Sequence, residues 1–340
     1  MTKKTVVSGT RATGDLHLGN YLGALKQWVR FTEREQDADF LFFIADLHAI
    51  TTPYDPGTLA GNTRQIAAAY IASGLDISKV TLFVQSAVPH HTYMQWLFTA
   101  VTPLGWLNRM TQFKEKAGKK KDNASLGLYS YPVLQAADVL LYKATHVPVG
   151  EDQKQHIELS REIAGAFNYR YKENFFPLPE PVILEEGARI MSLRDGTMKM
   201  SKSAESDMTR INLTDDADTI TQKIRKARTD AYPVPDSLEN MEERPEARNL
   251  ITIHASLEDK TRADIIREHG GKQFSDYKQI LADLAIAKLA PVTAAMNELI
   301  ADKDEIDRLL QTGNEHAAAL AAPVLEEAST LMGFWKGHMI

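Results

Sequence analysis

Residues 40–45, Phe40-Leu41-Phe42-Phe43-Ile44-Ala45, form an uninterrupted apolar run. Such a run is typical of a parallel strand that is buried on both faces. Shorter strand-like runs occur at residues 5–8, 80–84 and 147–150, and segments with helical apolar spacing separate them. This alternation predicts an α/β fold with a Rossmann-like, doubly wound parallel sheet. Ligands of such sheets bind outside the carboxyl ends of the strands.

The length of 340 residues predicts two domains. Strand signals are confined to the first 200 residues, and turn-separated helical patterns follow them. We therefore predict a Rossmann-like catalytic domain at 1–203, with a helical insertion at about 90–145. A C-terminal α-helical domain is predicted at 204–340, with its last helix packing back on the catalytic domain.

Composition excludes several classes of chemistry. The chain has no cysteine, which rules out disulfides, thiolate catalysis and iron–sulfur clusters. No apolar run approaches the ~20 residues needed to span a bilayer, and no apolar signal segment follows Met1. The expected location is the cytoplasm. The net charge of −6 argues against indiscriminate nucleic-acid binding, so such a partner needs a local basic face.

The first candidate motif, His17-Leu18-Gly19-Asn20, lies where a loop enters a helical pattern. Unpaired N–H groups and the helix dipole favour anions at such a position. Gly19 lets a phosphate or base approach the backbone closely, and His17 and Asn20 add side-chain donors. The alternative interpretation is an ordinary capped helix with a surface histidine.

The second candidate motif, Lys199-Met200-Ser201-Lys202-Ser203, follows a predicted strand at 189–193 and a turn at 194–197. Lysine ammonium groups on flexible stems suit a phosphate that moves during reaction. A solvated basic loop is the alternative interpretation. Together, the two motifs indicate the phosphate-handling pair of a nucleotide-activating enzyme.

Two acidic positions are also candidates. Asp138 lies among apolar residues, and a buried carboxylate needs a donor from the protein or a ligand. The alternatives are a helix-surface residue and a purely structural hydrogen bond. Gly150-Glu151-Asp152-Gln153 forms a second strand-to-helix turn, where Asp152 is a candidate for binding ribose hydroxyls. Acids at a helix start also stabilise the helix dipole without any ligand.

These motifs resemble the two signatures of class I aminoacyl-tRNA synthetases, and the second matches letter for letter. Connecting segments narrow the resemblance to the tryptophanyl-tRNA synthetase family. These segments are residues 19–24, 46–51, 110–114, 136–138 and 147–156. The resemblance extends from about residue 5 to about residue 330 and is strongest before residue 205.

The resemblance implies that tryptophan and ATP form tryptophanyl-adenylate, and that the acyl group then passes to tRNA(Trp). Mg²⁺ accompanies ATP without a metal site in the protein, the enzyme is a homodimer, and the C-terminal helices read the anticodon. The residues implied in catalysis are His17, Asn20, Lys199 and Lys202. Those implied in ATP binding are Arg11, Ala12, Thr13, Gly19, Asn20, Lys114, Gly150, Glu151, Asp152, Ile190, Lys199, Met200, Ser201, Lys202 and Ser203.

The resemblance further implies a tryptophan pocket in which Asp138 accepts the indole N–H. The other residues assigned to this pocket are Val7, His48, Tyr131, Gln135, Val147, Val149 and Gln153. The chain departs from the family pattern at Ala12, where proline is frequent, at Gln135, where many bacterial relatives have methionine, and at Met198, where lysine is common. None of these changes removes a reacting group.

Two other functions remain open at this stage. One is the tyrosine-specific relative, since Gln135 offers a polar partner for a phenol O–H. The other is a catalytically silent paralogue that senses tryptophan or nucleotide. For the tRNA, the cations Lys223, Arg225, Lys226 and Arg228 are the candidate contacts after residue 203, and domain packing or a solvated face is the alternative.

Overall fold

The computed structural model describes residues 3–14, 16–110, 124–150, 153–183, 189–202 and 204–335. Within them, five parallel strands form one sheet in the order β3-β2-β1-β4-β5. The strands are β1 Lys4–Arg11, β2 Ala38–Ala45, β3 Val80–Val84, β4 His146–Val149 and β5 Glu180–Ile183. The predicted parallel α/β fold is confirmed. The apolar run at 40–45 is buried in β2, which pairs with a strand on each side.

Helices connect the strands and make up the described part of the chain after residue 203. They are α1 Leu18–Asn20, α2 Lys26–Arg34, α3 Asp46–Ala49, α4 Pro56–Ala72, α5 His90–Thr99, α6 Leu104–Asn108, α7 Leu126–Leu140, α8 Lys154–Tyr171, α9 Ala217–Arg225, α10 Leu238–Glu242, α11 Pro245–Glu258, α12 Arg262–His269, α13 Phe274–Ala301 and α14 Lys303–Leu331. A π-helical turn, Tyr21–Leu25, joins α1 to α2.

The predicted strand at 189–193 is wrong. Only one isolated antiparallel bridge occurs there, between Met191 and Lys199. The backbone N–H of Ser192 donates to the Met198 carbonyl at 2.7 Å, and that of Met200 donates to the Ile190 carbonyl at 3.1 Å. The apolar run is buried because it folds back on the second motif in a short hairpin, not because it extends the sheet.

The long helix α13 packs against α4 and α9. By length and composition alone it is the one helix in the described ranges that meets the criteria for crossing a membrane. Its buried residues include Tyr277, Leu281 and Leu289, which lie in the same hydrophobic cluster as β1 and β2 residues. This packing is that of a core helix.

The last helix, α14, covers β3, the edge strand of the sheet. The backbone N–H of Val84 donates to Asn314 Oδ1 at 2.8 Å, and the Thr81 hydroxyl lies 2.9 Å from His316 Nδ1. A Cβ placed on Gly313 would lie 1.8 Å from the Leu82 carbonyl oxygen. Gly313 therefore allows the helix to approach the strand backbone directly.

We expect Gly313→Ala to lower the free energy of unfolding by about 1–3 kcal/mol, because the helix must move off the strand. Gly165→Ala in α8 is the matched control, since nothing lies within 4 Å of a Cβ at that position. In that helix interior, alanine should stabilise the protein by roughly 0.5–1 kcal/mol. Urea denaturation of both variants measures the difference, and equal stability of the two would contradict the close packing.

Candidate active site

A cavity of about 270 Å³ opens at the carboxyl ends of β1, β2 and β4. Small-molecule pockets usually measure about 300–1,000 Å³, so this cavity suits a ligand the size of an amino acid. Its lining includes seven of the eight residues assigned to tryptophan: Val7, His48, Tyr131, Gln135, Val147, Val149 and Gln153. Arg11 and Gly150, assigned to ATP, also line it. The structure thus brings these nine residues to one place.

Strand and helix periods explain this convergence. Val7, Gly9 and Arg11 alternate along β1 and share one face, and Tyr131 and Gln135 are one turn apart in α7. A Cβ on Gly9 would lie 2.4 Å from the Phe43 ring, so this glycine makes room for that ring. Gly9 and Phe43 also line the cavity, although neither was among the predicted residues. Both could have been predicted, because Gly9 follows Val7 by strand alternation and Phe43 pairs with Gly9 where β1 meets β2.

Asp138 is the eighth residue predicted to bind tryptophan, and it lies behind the wall of the cavity. Its side chain is fully buried and is absent from the cavity lining. Its Oδ2 accepts from His48 Nε2 at 2.7 Å, and its Oδ1 accepts from Gln85 Nε2 and His91 Nδ1, each at 2.7 Å. The donors that the sequence analysis required for this carboxylate therefore come from the protein. His48 stands between Asp138 and the cavity.

The Asp138 carboxyl is ionised. Burial by itself raises its pKa, but the hydrogen bonds and charges of His48 and His91 outweigh this effect and bring the pKa to about 2. An ionised carboxylate only accepts hydrogen bonds, so each of its three neighbours must present an N–H toward it. The side chain behind the cavity wall is thus a fixed negative charge.

The two sequence motifs lie against each other, although 182 residues separate His17 from Lys199. A Cβ on Gly19 would lie 3.0 Å from the His17 ring and 3.6 Å from Met200 Cβ. The backbone N–H of Leu18 donates to the Ile211 carbonyl at 2.8 Å, which ties the first motif to the segment after the second. Lys199 and Lys202 are exposed at this junction.

His17 is neutral at neutral pH. Burial, followed by the charges of Arg210, Lys199 and Lys202, lowers its pKa to about 4. Its backbone N–H donates to Asn20 Oδ1 at 3.1 Å, which holds the start of α1. Two buried nitrogens, His17 Nδ1 and Arg11 Nε, have no hydrogen-bond partner within the described part of the chain. Unpaired polar atoms of this kind are available to a bound ligand.

The other residues predicted to bind ATP differ in how far their side chains are exposed. Ala12, Ile190 and Met200 are each only 2% exposed, so they pack in the core and offer mainly their backbone. Thr13 and Ser201 are half-buried. Lys114, Glu151, Asp152 and Ser203 lie outside the described residues.

A five-stranded parallel sheet with a cavity at the carboxyl ends of its strands is typical of α/β enzymes that bind nucleotides. The profile of the family described as tRNA synthetases class I (W and Y) matches residues 2–296. The chain belongs to this family, whose letters stand for tryptophan and tyrosine.

Proteins similar to this chain include tryptophan–tRNA ligases. The tryptophan–tRNA ligase of Caulobacter vibrioides is 56% identical over 97% of this chain and 95% of its own. That of Brucella melitensis is 49% identical over 98% of each chain. The structure of tryptophanyl-tRNA synthetase from Campylobacter jejuni, complexed with ADP and tryptophan, has a TM-score of 0.82 and 32% identity over 97% of this chain and 100% of that one.

Proposed function

We propose that this chain is a tryptophan–tRNA ligase, which activates L-tryptophan with ATP and transfers it to tRNA(Trp). The observation that carries the proposal is the cavity of about 270 Å³ at the carboxyl ends of the strands, and the packing of the two sequence motifs against each other supports it. Support also comes from relatives named for this activity and from the neighbour crystallised with ADP and tryptophan.

The amino-acid end of the site combines an apolar slot with a few polar groups. Val7, Val147 and Val149 supply flat apolar walls, and His48 and Tyr131 supply rings. Arg11 also lines the cavity, and its unpaired Nε is a donor for an anionic group of the substrate. The indole N–H is selected through His48, which lines the cavity and whose ring is held by Asp138 behind the wall.

Activation begins when the tryptophan carboxylate attacks the α-phosphorus of ATP in line, and pyrophosphate leaves. No covalent enzyme intermediate is needed, because positioning and charge neutralisation supply the catalysis. Lys199 and Lys202 neutralise the departing pyrophosphate. The start of α1, with neutral His17 and with Asn20, holds the phosphates from the other side.

Mg²⁺ enters with the nucleotide. Among the described residues, no three His, Asp or Glu side chains gather where they could hold a metal ion. In nucleotide sites a magnesium ion is usually held mainly by phosphate oxygens and water, so it does not need a set of protein ligands of its own. The ion would neutralise phosphate charge beside the two lysines.

We place tRNA binding in the helical region at 204–340 and adenylate formation in the region at 1–203. The four candidate cations divide into two groups. Lys223 is 1% exposed and pairs with Asp215 Oδ2 at 2.6 Å and with Asp207, so it is a packing residue and its predicted phosphate contact is wrong. Arg225, Lys226 and Arg228 are exposed. α9 ends at Arg225, so Arg228 lies beyond the helix.

Neutralising Arg225, Lys226 and Arg228 to glutamine is expected to weaken tRNA binding and flatten its salt dependence, since each lost phosphate contact removes roughly 0.7–0.9 from the slope. Tryptophan activation should stay unchanged. Lys223→Met is the contrasting variant: it removes the buried ammonium that pairs with Asp215 and Asp207 and should cost about 3–5 kcal/mol of folding stability, with loss in both reactions. Binding titrations at several salt concentrations, run beside pyrophosphate exchange, separate the two. Unchanged tRNA affinity in the triple variant would contradict a tRNA contact here.

A homodimer in the cytoplasm completes the proposal. Large apolar side chains on α5 and α6 are exposed: Trp96 is 73% exposed and Leu104 is 69% exposed, with Tyr93 on the same helix as Trp96. Several large exposed apolar side chains on neighbouring helices are a feature of association surfaces. Light scattering of the purified protein measures the subunit number.

Tryptophan-dependent exchange between ATP and pyrophosphate is the direct test of the function. Exchange with tryptophan and none with tyrosine is the expected result. Exchange with tyrosine would assign the chain to the tyrosine-specific relative, for which Gln135 in the cavity wall supplies a polar partner. No exchange with either amino acid, despite tryptophan binding, would indicate a silent sensor.

A further inference from the structure

A chain of buried hydrogen bonds runs inward from the cavity wall. It begins at His48, passes through Asp138 to His91, and ends at Tyr142, whose hydroxyl lies 2.8 Å from His91 Nε2. Asp138, His91 and Gln85 are completely buried, and Tyr142 is 6% exposed. Buried polar groups are costly unless every member has a partner, so a connected network at this position holds its members in fixed orientations.

The direction of each hydrogen bond follows from the ionised Asp138. His91 must donate its Nδ1–H to Oδ1, because an ionised carboxylate only accepts hydrogen bonds. His91 Nε2 lies 2.8 Å from the Tyr142 hydroxyl, and burial raises the pKa of Tyr142, which keeps its proton in place. His48 in turn donates its Nε2–H to Oδ2.

The two carboxylate oxygens of Asp138 have different neighbours. Oδ1 accepts from His91 and Gln85, neither of which lines the cavity. Oδ2 accepts from His48, which does line it. Two donors on Oδ1 prevent rotation of the carboxylate and direct Oδ2 toward the cavity wall. The rings of Phe43, Phe83 and Tyr142, with centroids 5.4–6.0 Å from that of His91, fix the imidazole in turn.

We propose that His91 is a positioning residue for amino-acid recognition: hydrogen-bonded to Tyr142, it holds Asp138 so that Oδ2 fixes the orientation of His48 toward the indole N–H. This inference rests on the proposed tryptophan specificity. His91 touches no substrate and acts only through Asp138. Its loss should therefore change recognition of tryptophan and leave the nucleotide end of the site unaffected.

The test compares His91→Leu with His91→Asn in pyrophosphate exchange. Leucine removes the hydrogen bond to the carboxylate, which is worth about 1.5–3 kcal/mol, so the KM for tryptophan should rise roughly ten- to a hundred-fold. The KM for ATP should change by less than about twofold. Asparagine places an amide N–H near the position of Nδ1 and should restore the tryptophan KM to within about threefold of wild type.

Two further measurements keep the inference falsifiable. Tyr142→Phe removes only the hydroxyl that is hydrogen-bonded to His91, and it should raise the tryptophan KM several-fold in a folded protein. In an Asp138→Asn background, His91→Leu should add little, because both changes disrupt the same interaction. Three results would overturn the role of His91. They are full additivity of the Asp138→Asn and His91→Leu effects, parallel rises in the KM values for tryptophan and ATP, and a wild-type tryptophan KM in His91→Leu. Failure of the wild-type protein to exchange with tryptophan would refute the proposed function instead.

Discussion

Lys199→Ala and Lys202→Ala are each expected to lower kcat for tryptophan activation by roughly 10²–10³, the usual loss when one preorganised group that stabilises transition-state charge is removed. Both side chains are exposed at the hairpin that packs on the first motif, so the fold does not depend on them. Their charges matter most as the pyrophosphate departs, and the KM for tryptophan should change little.

Lys288→Ala is the matched control for these variants, because Lys288 is an exposed lysine on α13 outside the site. It should keep the wild-type rate. Steady-state pyrophosphate exchange, with tryptophan and ATP varied separately, measures both parameters. A rise in the tryptophan KM alone, with unchanged kcat, would show that these lysines do not act on the phosphates.

Asp138→Asn is expected to lower kcat/KM for tryptophan by roughly ten- to a hundred-fold, corresponding to one lost charged hydrogen bond of about 1.5–3 kcal/mol. The structure adds a second consequence. The carboxylate accepts from three N–H groups, and an amide can offer its oxygen to only some of them while its own N–H₂ faces another donor. Folding stability should therefore also fall.

Asp283→Asn, at an exposed position on α13, is the control and should affect neither property. Thermal unfolding and exchange kinetics on the same preparations separate the two effects. Selectivity is the decisive measurement, because loss of the carboxylate that orients His48 should reduce discrimination between tryptophan and tyrosine. An asparagine variant with wild-type kcat/KM for tryptophan would refute the role of Asp138.

Much of the fold could be predicted because its signals are local. The run at 80–84 became a strand with those bounds, and the run at 40–45 became the buried part of β2. The prediction at 189–193 failed for a reason that short apolar runs share: burial against any surface produces the same pattern as burial in a sheet. Here the surface was the second motif and the segment near Thr209.

The cations after residue 203 show a second limit. Lys223 and Lys226 look equivalent in the sequence, yet one is buried between two carboxylates and the other is exposed. The difference depends on Asp207 and Asp215, which both precede α9 in the chain. Charge counted along a chain therefore does not identify the charges that reach solvent.

The sequence by itself determined four of the five strands, the position of the first motif where a loop enters a helix, and the need of Asp138 for a donor, because each depends on residues close together in the chain. Only the tertiary structure decided which donors those are. His48, Gln85 and His91 lie 90, 53 and 47 residues from Asp138, and they meet it because the sheet and α7 bring their elements together. Their contacts are long-range and directional, so no local pattern in the sequence encodes them.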